Sequence, residues 1–316
     1  MEFFADKSYV SRLLTNADRP AYAVDVNGLL APQGKMAERT TLLAYYKKIG
    51  RSTLDDAVMK FPRSMLIRAG LVKPSREELE ILDLYYKKSG VSKKRAVYGD
   101  ALDPTLQLMG DAALFLRGEP AELLERDINV GFVMSAMYEE SKPFIEEIRS
   151  IPRTRAMFVS GGTPGQIVRR MAEAWRYDDY IAPALEIKNG RFTGRFEGSY
   201  QDAINLRLSR ALWEDEQLRG KVEEVHPDML VLWGHDEEDV EKRAFLDKLN
   251  EPNNYVLFGV RPYAKGVPRK ILKKEEEAFD RIAGGFDVVF DDLPEATSFL
   301  HEIRMEIHKK DAAVKH

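Results

Sequence analysis

The sequence contains no cysteine, which excludes disulfides, thiolate zinc sites and a cysteine nucleophile. No run of residues is long and apolar enough to span a membrane. The opening Met1-Glu-Phe-Phe-Ala-Asp6 is acidic and too short for a secretory leader, so a cytoplasmic protein with no membrane partner is expected. A strong charge of one sign is missing too. The formal net charge of −4 argues against a dominant nucleic-acid surface, while permitting local basic patches. Histidine is scarce: there are five, and His226, His301, His308 and His316 have no metal-ligand spacing. What is present is an ordinary globular composition, 44 % apolar and 32 % charged, on 316 residues. That length suffices for two domains of roughly 100–200 residues each.

The most informative stretch is residues 156–198. It opens with Ala156-Met-Phe-Val159, short and β-prone, which reads as a buried strand. Ser160-Gly161-Gly162 follows, then Thr163 as an N-cap and Pro164 as a first helical residue before an amphipathic run ending at Trp175. Strand, glycine turn and helix N-terminus in that order make an anion site. The glycines let the backbone approach a ligand, free N–H groups point at it, and Ser160 adds a hydroxyl. Beyond Tyr180-Ile-Ala-Pro-Ala-Leu-Glu186, the turn Lys188-Asn189-Gly190-Arg191 predicts a hairpin.

A second buried strand, Ala21-Tyr-Ala-Val24, lies between Pro20 and Gly28 and delivers Asp25-Val-Asn27-Gly28. An aspartate at a strand end can serve as a nucleophile; taken alone, the segment reads more readily as a strand-to-loop turn with Asn-Gly as turn residues, and the Ser160-Gly-Gly strand downstream reverses that preference. Residues 31–140 carry almost no strand signal. Helical segments recur over 38–48, 76–88, 104–116 and 121–126, and Tyr45-Tyr-Lys-Lys-Ile-Gly is nearly repeated at Tyr85-Tyr-Lys-Lys-Ser-Gly. A helix over 141–150 returns to the core, and another is expected over 200–218. Met229-Leu-Val-Leu-Trp233 is a strongly apolar strand, followed by Gly234-His235-Asp236-Glu237-Glu238-Asp239. Those acids could also be the charged first turn of a helix over 239–249. Two more strands, near 254–260 and 286–290, precede a final helix over 294–307, and the tail 308–316 is expected to be disordered.

Val159-Ser160-Gly161-Gly162 and the Asn189-to-Gly198 hairpin ending resemble the phosphoserine-phosphatase-like branch of the haloacid dehalogenase superfamily. The resemblance covers nearly the whole chain. It implies an α/β, Rossmann-like parallel-sheet core, formed by residues 1–30 and 141–307, with a large all-helical cap, residues 31–140, inserted after the first motif strand. It implies Asp25 as nucleophile and a phosphate cradle of Ser160, Gly161 and Gly162. Asp25 with Asp236 or Asp239 would hold a magnesium ion. The chain departs from that pattern at three places. Asn27 stands where the phosphatases carry an acid that protonates the leaving alcohol, and Leu29 replaces the usual threonine. No lysine occurs between Lys188 and Lys221, so the nearest cations for the third motif are Arg207 and Arg210. The fourth motif reads His235 directly after its glycine, a poor magnesium ligand, and sliding one residue supplies Asp236 with Asp239 three further on. The implied activity is magnesium-dependent hydrolysis of a small phosphomonoester through an aspartyl-phosphate. The alternative is a catalytically impaired relative that binds a phosphorylated ligand or a protein partner.

Overall fold

Six parallel strands make the centre of the molecule, and their composition explains their depth. The strand β1 (Pro20–Asp25) is buried at all six positions, as is β6 (Met229–Gly234). Such unbroken apolar runs suit strands covered on both faces by helices rather than strands with one wet face. The computed structural model describes residues 6–31, 36, 39–40, 109–110, 112–114, 116–122, 130–206, 210–248, 254–261 and 269–314. Along the chain these form α1 (Lys7–Asn16), β1, α2 (Val130–Met134), α3 (Ser141–Ser150), β2 (Arg155–Val159), α4 (Gly165–Trp175), β3 (Asp179–Ile181), β4 (Leu185–Lys188) and β5 (Arg191–Phe196). Then come α5 (Gly198–Leu206), α6 (Arg210–Val225), β6, α7 (Glu237–Leu246), β7 (Tyr255–Val260), α8 (Arg269–Ile282), β8 (Val288–Phe290) and α9 (Leu293–Val314).

The sheet order is β3-β2-β1-β6-β7-β8, parallel throughout. This is the α/β parallel-sheet class that the sequence predicts. Successive strands run outward from β1 in one direction through β2 and β3, and in the other through β6, β7 and β8. The carboxyl end of β1 is therefore the topological switch point, where open α/β sheets bind their ligands. The hairpin β4–β5 stands apart, and its turn has Asn189 at φ 51° and Gly190 at φ 71°. Two positive φ values in a two-residue loop are what a type I′ turn requires, and Asn-Gly supplies them at little cost.

At the opposite edge, carboxylates hold the strand entries. Asp228 accepts from the amides of Asp18 (2.7 Å) and Arg19 (3.0 Å) before β1. Asp178 accepts from Ala156 of β2 at 2.9 Å, and Asp287 from Leu257 of β7 at 2.8 Å. Between the faces, Trp233 lies 4.8 Å from Phe144 and 4.5 Å from Phe258, centroid to centroid, and Phe290 and Phe299 extend the cluster. Aromatic pairs at such spacings add about 0.5–1.5 kcal/mol each beyond the area they bury.

Two local expectations change. The helix after Ser160-Gly-Gly starts one residue late: Pro164 is its N-cap, not Thr163. The helix expected over 200–218 is described in two stretches, α5 and α6, with residues 207–209 outside the described residues. The tail is ordered, since α9 continues to Val314 rather than stopping at Ile307. Ile307 is buried, Lys310 donates to Asn16 Oδ1 at 2.8 Å, and Arg153 Nη2 lies 3.4 Å from Asp311. These ties to α1 and to the loop before β2 hold the last turns helical. Most of the expected cap, including the near-repeated Tyr-Tyr-Lys-Lys segments, lies outside the described residues; Met36, Met109, Ala113 and Leu116 are buried in the main core. Among the described residues no helix is long and apolar enough to cross a membrane.

Candidate functional site

Asp25 ends the central strand, and its backbone register places it opposite Val159, so Ser160 follows one step on along the neighbouring strand. The Ser160 amide donates to Ile181 O at 2.8 Å and that of Gly165 to Pro183 O at 2.7 Å, which fixes the loop from both ends. Tyr200 donates its hydroxyl to Gly161 O. Neither the Gly161 nor the Gly162 amide donates to another group among the described residues. This is a strand-to-helix turn with unspent N–H groups, the arrangement that receives an anion.

Asn27 joins this loop. Its Nδ2 donates to Ser160 Oγ at 2.9 Å and lies 3.5 Å from Thr163 Oγ1, while its Oδ1 is buried with no partner among the described residues. An amide makes this contact naturally, because its NH₂ donates where a carboxylate could only accept. Asn27 therefore holds the Ser160 hydroxyl in place.

On the other side of Asp25, β6 delivers Gly234 and His235, and α7 begins. Asp236 is the N-cap: its Oδ1 accepts from the Asp239 amide at 3.1 Å, and the Asp239 carboxylate returns the contact in a capping box. Asp239 Oδ2 takes two amides, those of His235 (2.8 Å) and Asp236 (3.3 Å). Its Oδ1 takes Lys242 Nζ at 2.8 Å. Lys242 Nζ also lies 3.4 Å from Glu214 Oε2, reaching from α7 to α6. His235 Nδ1 stands between two carboxylates, 3.3 Å from Asp25 Oδ2 and 3.5 Å from Asp239 Oδ2. Its ring lies against Gly28, which has φ +99°, so close that a Cβ there would fall 1.8 Å from Nε2. Gly234 is likewise obligatory, since its Cβ would fall 2.3 Å from the Asp239 carboxyl carbon.

These charges are buried: Asp25 is 8 % exposed, Asp239 4 %, Lys242 6 % and Glu214 3 %. Burial pushes the Asp25 carboxyl up to about 6; His235 pulls against it, Asp239 adds to it, and Lys242 opposes it. Burial also works against a charged His235, yet the neighbouring carboxylates of Asp239 and Asp25 prevail and hold the imidazole well above its ordinary value. Asp239 meets the same burial penalty and is nonetheless held well below the carboxylate range, first by Lys242 and then by His235. Lys242 is held high, against burial, by Asp239, Glu214 and Asp25. The site is thus a chain of alternating charge, Asp25, His235, Asp239, Lys242, Glu214. A small cavity beside it, lined by Asp25, Asp239, Lys242, Glu214 and Trp233 among others, has room for about one water molecule.

Of the residues predicted for the site, the structure brings Asp25 and Asp239 together with His235 between them, and Ser160 together with Asn27. Asp236 is engaged as a helix cap. Arg207 lies outside the described residues, and nothing is described of the Arg210 side chain beyond the start of α6. Sequence reasoning missed Lys242 and Glu214. The only available signal for Lys242 is its place three residues after Asp239 on one helix face.

Asp25, His235 and Asp239 offer one ligand atom each within 4.8 Å of one another, a group that could hold a metal. Magnesium does not fit it as built. That ion takes oxygen ligands in near-octahedral geometry, whereas here an imidazole nitrogen fills the gap between the carboxylates. Asp239 Oδ2 is already taken by two amides, and Oδ1 by an ammonium group.

No protein-family model matches the sequence, and no curated protein matches it. Solved structures do. A protein of unknown function from Bordetella pertussis Tohama I is similar at 15 % identity over 87 % of this chain and 99 % of its own, with a TM-score of 0.45. A phospho-aspartyl intermediate analogue of phosphoserine phosphatase is similar at 15 % identity, over 89 % of this chain and 99 % of its own, with a TM-score of 0.42. A probable phosphoserine phosphatase from Vibrio cholerae is similar at 11 % identity over 94 % of this chain and 68 % of its own, with a TM-score of 0.44.

Proposed function

We propose that the chain is a haloacid dehalogenase-like hydrolase that cleaves a small phosphomonoester through Asp25. The observation that carries this reading is Asp25 itself. It is a buried carboxylate at the switch point of the sheet, beside an anion-receiving turn and backed by buried positive charge. Its Oδ1 accepts from the Asn27 amide at 3.3 Å and its Oδ2 faces His235, while burial makes its charge costly. In the proposed reaction the Asp25 carboxylate attacks phosphorus, an Asp25 O–P bond forms, and the ester P–O bond breaks. The leaving alkoxide takes its proton from water, because Asn27 has none to give. Water then attacks the phosphorus of the acyl phosphate, the Asp25 O–P bond breaks, and inorganic phosphate leaves. Ser160 and the Gly161 and Gly162 amides hold the non-bridging oxygens throughout. The magnesium ion that the resemblance implies has no step in this scheme, since the donor set does not suit it.

A second reading is binding of a phosphorylated ligand without turnover. Two contacts favour it: the Asn27 side chain is committed to Ser160, and Asp239 is saturated by amides and Lys242. One experiment separates them. Phosphate release is followed from a panel of phosphomonoesters, with magnesium and with chelator, for wild type and Asp25→Asn. Hydrolysis that vanishes in Asp25→Asn, with a transient phosphoryl adduct on Asp25 by mass spectrometry, supports the hydrolase. Phosphate or ester binding with no release from any ester supports the ligand-binding reading.

A further inference from the structure

Three buried carboxylates converge behind the turn, Asp25 from β1, Glu214 from α6 and Asp239 from α7, and bare carboxylates packed this closely would repel. Something positive must sit among them. In this chain two side chains do. Lys242 extends from α7 into the interior, 2.8 Å from Asp239 and 3.4 Å from Glu214. The His235 ring fills the space between Asp25 and Asp239, in a notch that exists only because residue 28 has no Cβ. The Asp239 carboxylate lies in a matching notch over Gly234. Both glycines thus make room for a side-chain arrangement in which protein groups, and not an ion, meet each carboxylate.

We propose that Lys242, with the His235 ring beside it, occupies the place of the divalent cation that the fold resemblance implies, and that the chain holds Asp25 and Asp239 together without binding a metal there. This deepens the hydrolase reading by naming its source of fixed positive charge. Lysine is suited to the task as a compact charge with three donors, and two of its neighbours here are carboxylates. A phosphate dianion arriving at the Ser160 turn would meet that charge from behind Asp25, in surroundings of low dielectric where it acts strongly. The ion pairs need no exchange of metal with solvent and so are unaffected by chelators.

The test reads binding, so its outcome is independent of whether any ester is hydrolysed. The full chain, freed of metal with chelator, is titrated by calorimetry with Mg²⁺, Mn²⁺ and Zn²⁺ separately, and its thermal unfolding is followed with and without each ion. Expected for wild type is no saturable heat and no shift of the unfolding midpoint. Lys242→Met, which leaves the carboxylates facing one another, is expected to unfold at lower temperature and to regain stability when Mg²⁺ is added. His235→Asp combined with Lys242→Met is expected to give a saturable Mg²⁺ heat where wild type gives none, and adding Asp239→Asn to abolish it. Saturable binding of any of the three ions to wild type, lost in Asp239→Asn, overturns the proposal. So does a Lys242→Met protein of wild-type stability. If Lys242→Met does not fold, the wild-type titration decides alone: silence with all three ions supports the proposal, and a specific site for any one overturns it.

Discussion

Replacing Gly28 by alanine places a methyl group where the His235 ring already lies. The added Cβ would fall 1.8 Å from Nε2, 2.1 Å from Cε1 and 2.6 Å from Cδ2, on a backbone with φ +99°. Two separate costs follow. Holding a residue with a Cβ at that φ costs about 1–3 kcal/mol, and forcing a buried ring aside costs about 1–3 kcal/mol more. Together they make about 2–6 kcal/mol, a large share of the roughly 5–15 kcal/mol that stabilises a typical domain. The two parts separate in a double-mutant cycle with His235→Ala. In that background the clash is gone and only the backbone part remains, so Gly28→Ala is expected to be milder there by about 1–3 kcal/mol. Urea unfolding, followed by tryptophan fluorescence and far-ultraviolet dichroism, measures all four corners. A Gly28→Ala cost that is within about 0.5 kcal/mol of zero, or that is unchanged by His235→Ala, would refute the packing argument.

Asp25 gives a pH signature. Its carboxyl is raised from 3.8 to about 6 by burial, so the fold prefers it protonated, and the stability it contributes falls as pH rises between those values, by on the order of 3 kcal/mol; Asp25→Asn should remove that slope from unfolding curves taken at pH 4 to 7. His235, facing Asp25, Asp236 and Asp239, acts in the same direction at higher pH. Its raised pKa means that its contribution is complete below its unfolded value of about 6.5 and is lost as pH climbs through the folded one, so His235→Gln should flatten the alkaline limb of the same curves. At the far edge of the sheet, Asp228→Ala strands the amides of Asp18 and Arg19 and should cost about 1–3 kcal/mol in urea unfolding.

Much of the sheet was legible because its signals are local. The apolar runs before Asp25, Ser160 and Gly234 are short, bounded by punctuating residues and buried on both faces, and each became a strand where expected. The Asn189-Gly190 turn was legible for the same reason, since two residues suffice to specify it. Ser160 and Asp25 follow from strand ends and needed no tertiary information. Lys242 could not be found in this way. Its importance comes from the packing of α7 on α6, which brings Glu214 to an ammonium group 28 positions later in the chain, and no periodicity records that meeting. Sequence alone therefore points to Arg207 and Arg210 as the cations. Asp236 was ambiguous for a different reason: a capping acid and a metal ligand look alike in sequence, and only the contact with the Asp239 amide distinguishes them. The expected disorder of the tail gives way to helix because α9 carries its apolar positions as far as Ile307, and the contacts beyond, Lys310 with Asn16 and Asp311 with Arg153, depend on partners distant in sequence.

The end of the first strand's loop is closed by a small latch. Leu30 O receives the Tyr138 amide at 2.9 Å and the Ser141 hydroxyl at 2.8 Å, so the chain departs from the core and rejoins it at one point. The two ends of the intervening stretch are thereby held whatever lies between them. Met36, Met109 and Leu116 seat in the core, and the loop-closure entropy of joining those ends changes by only about 0.6 kcal/mol for each doubling of the length between them. The strand ends that carry Asp25 and His235 are fixed by their own neighbours in the sheet, independently of how long that stretch is.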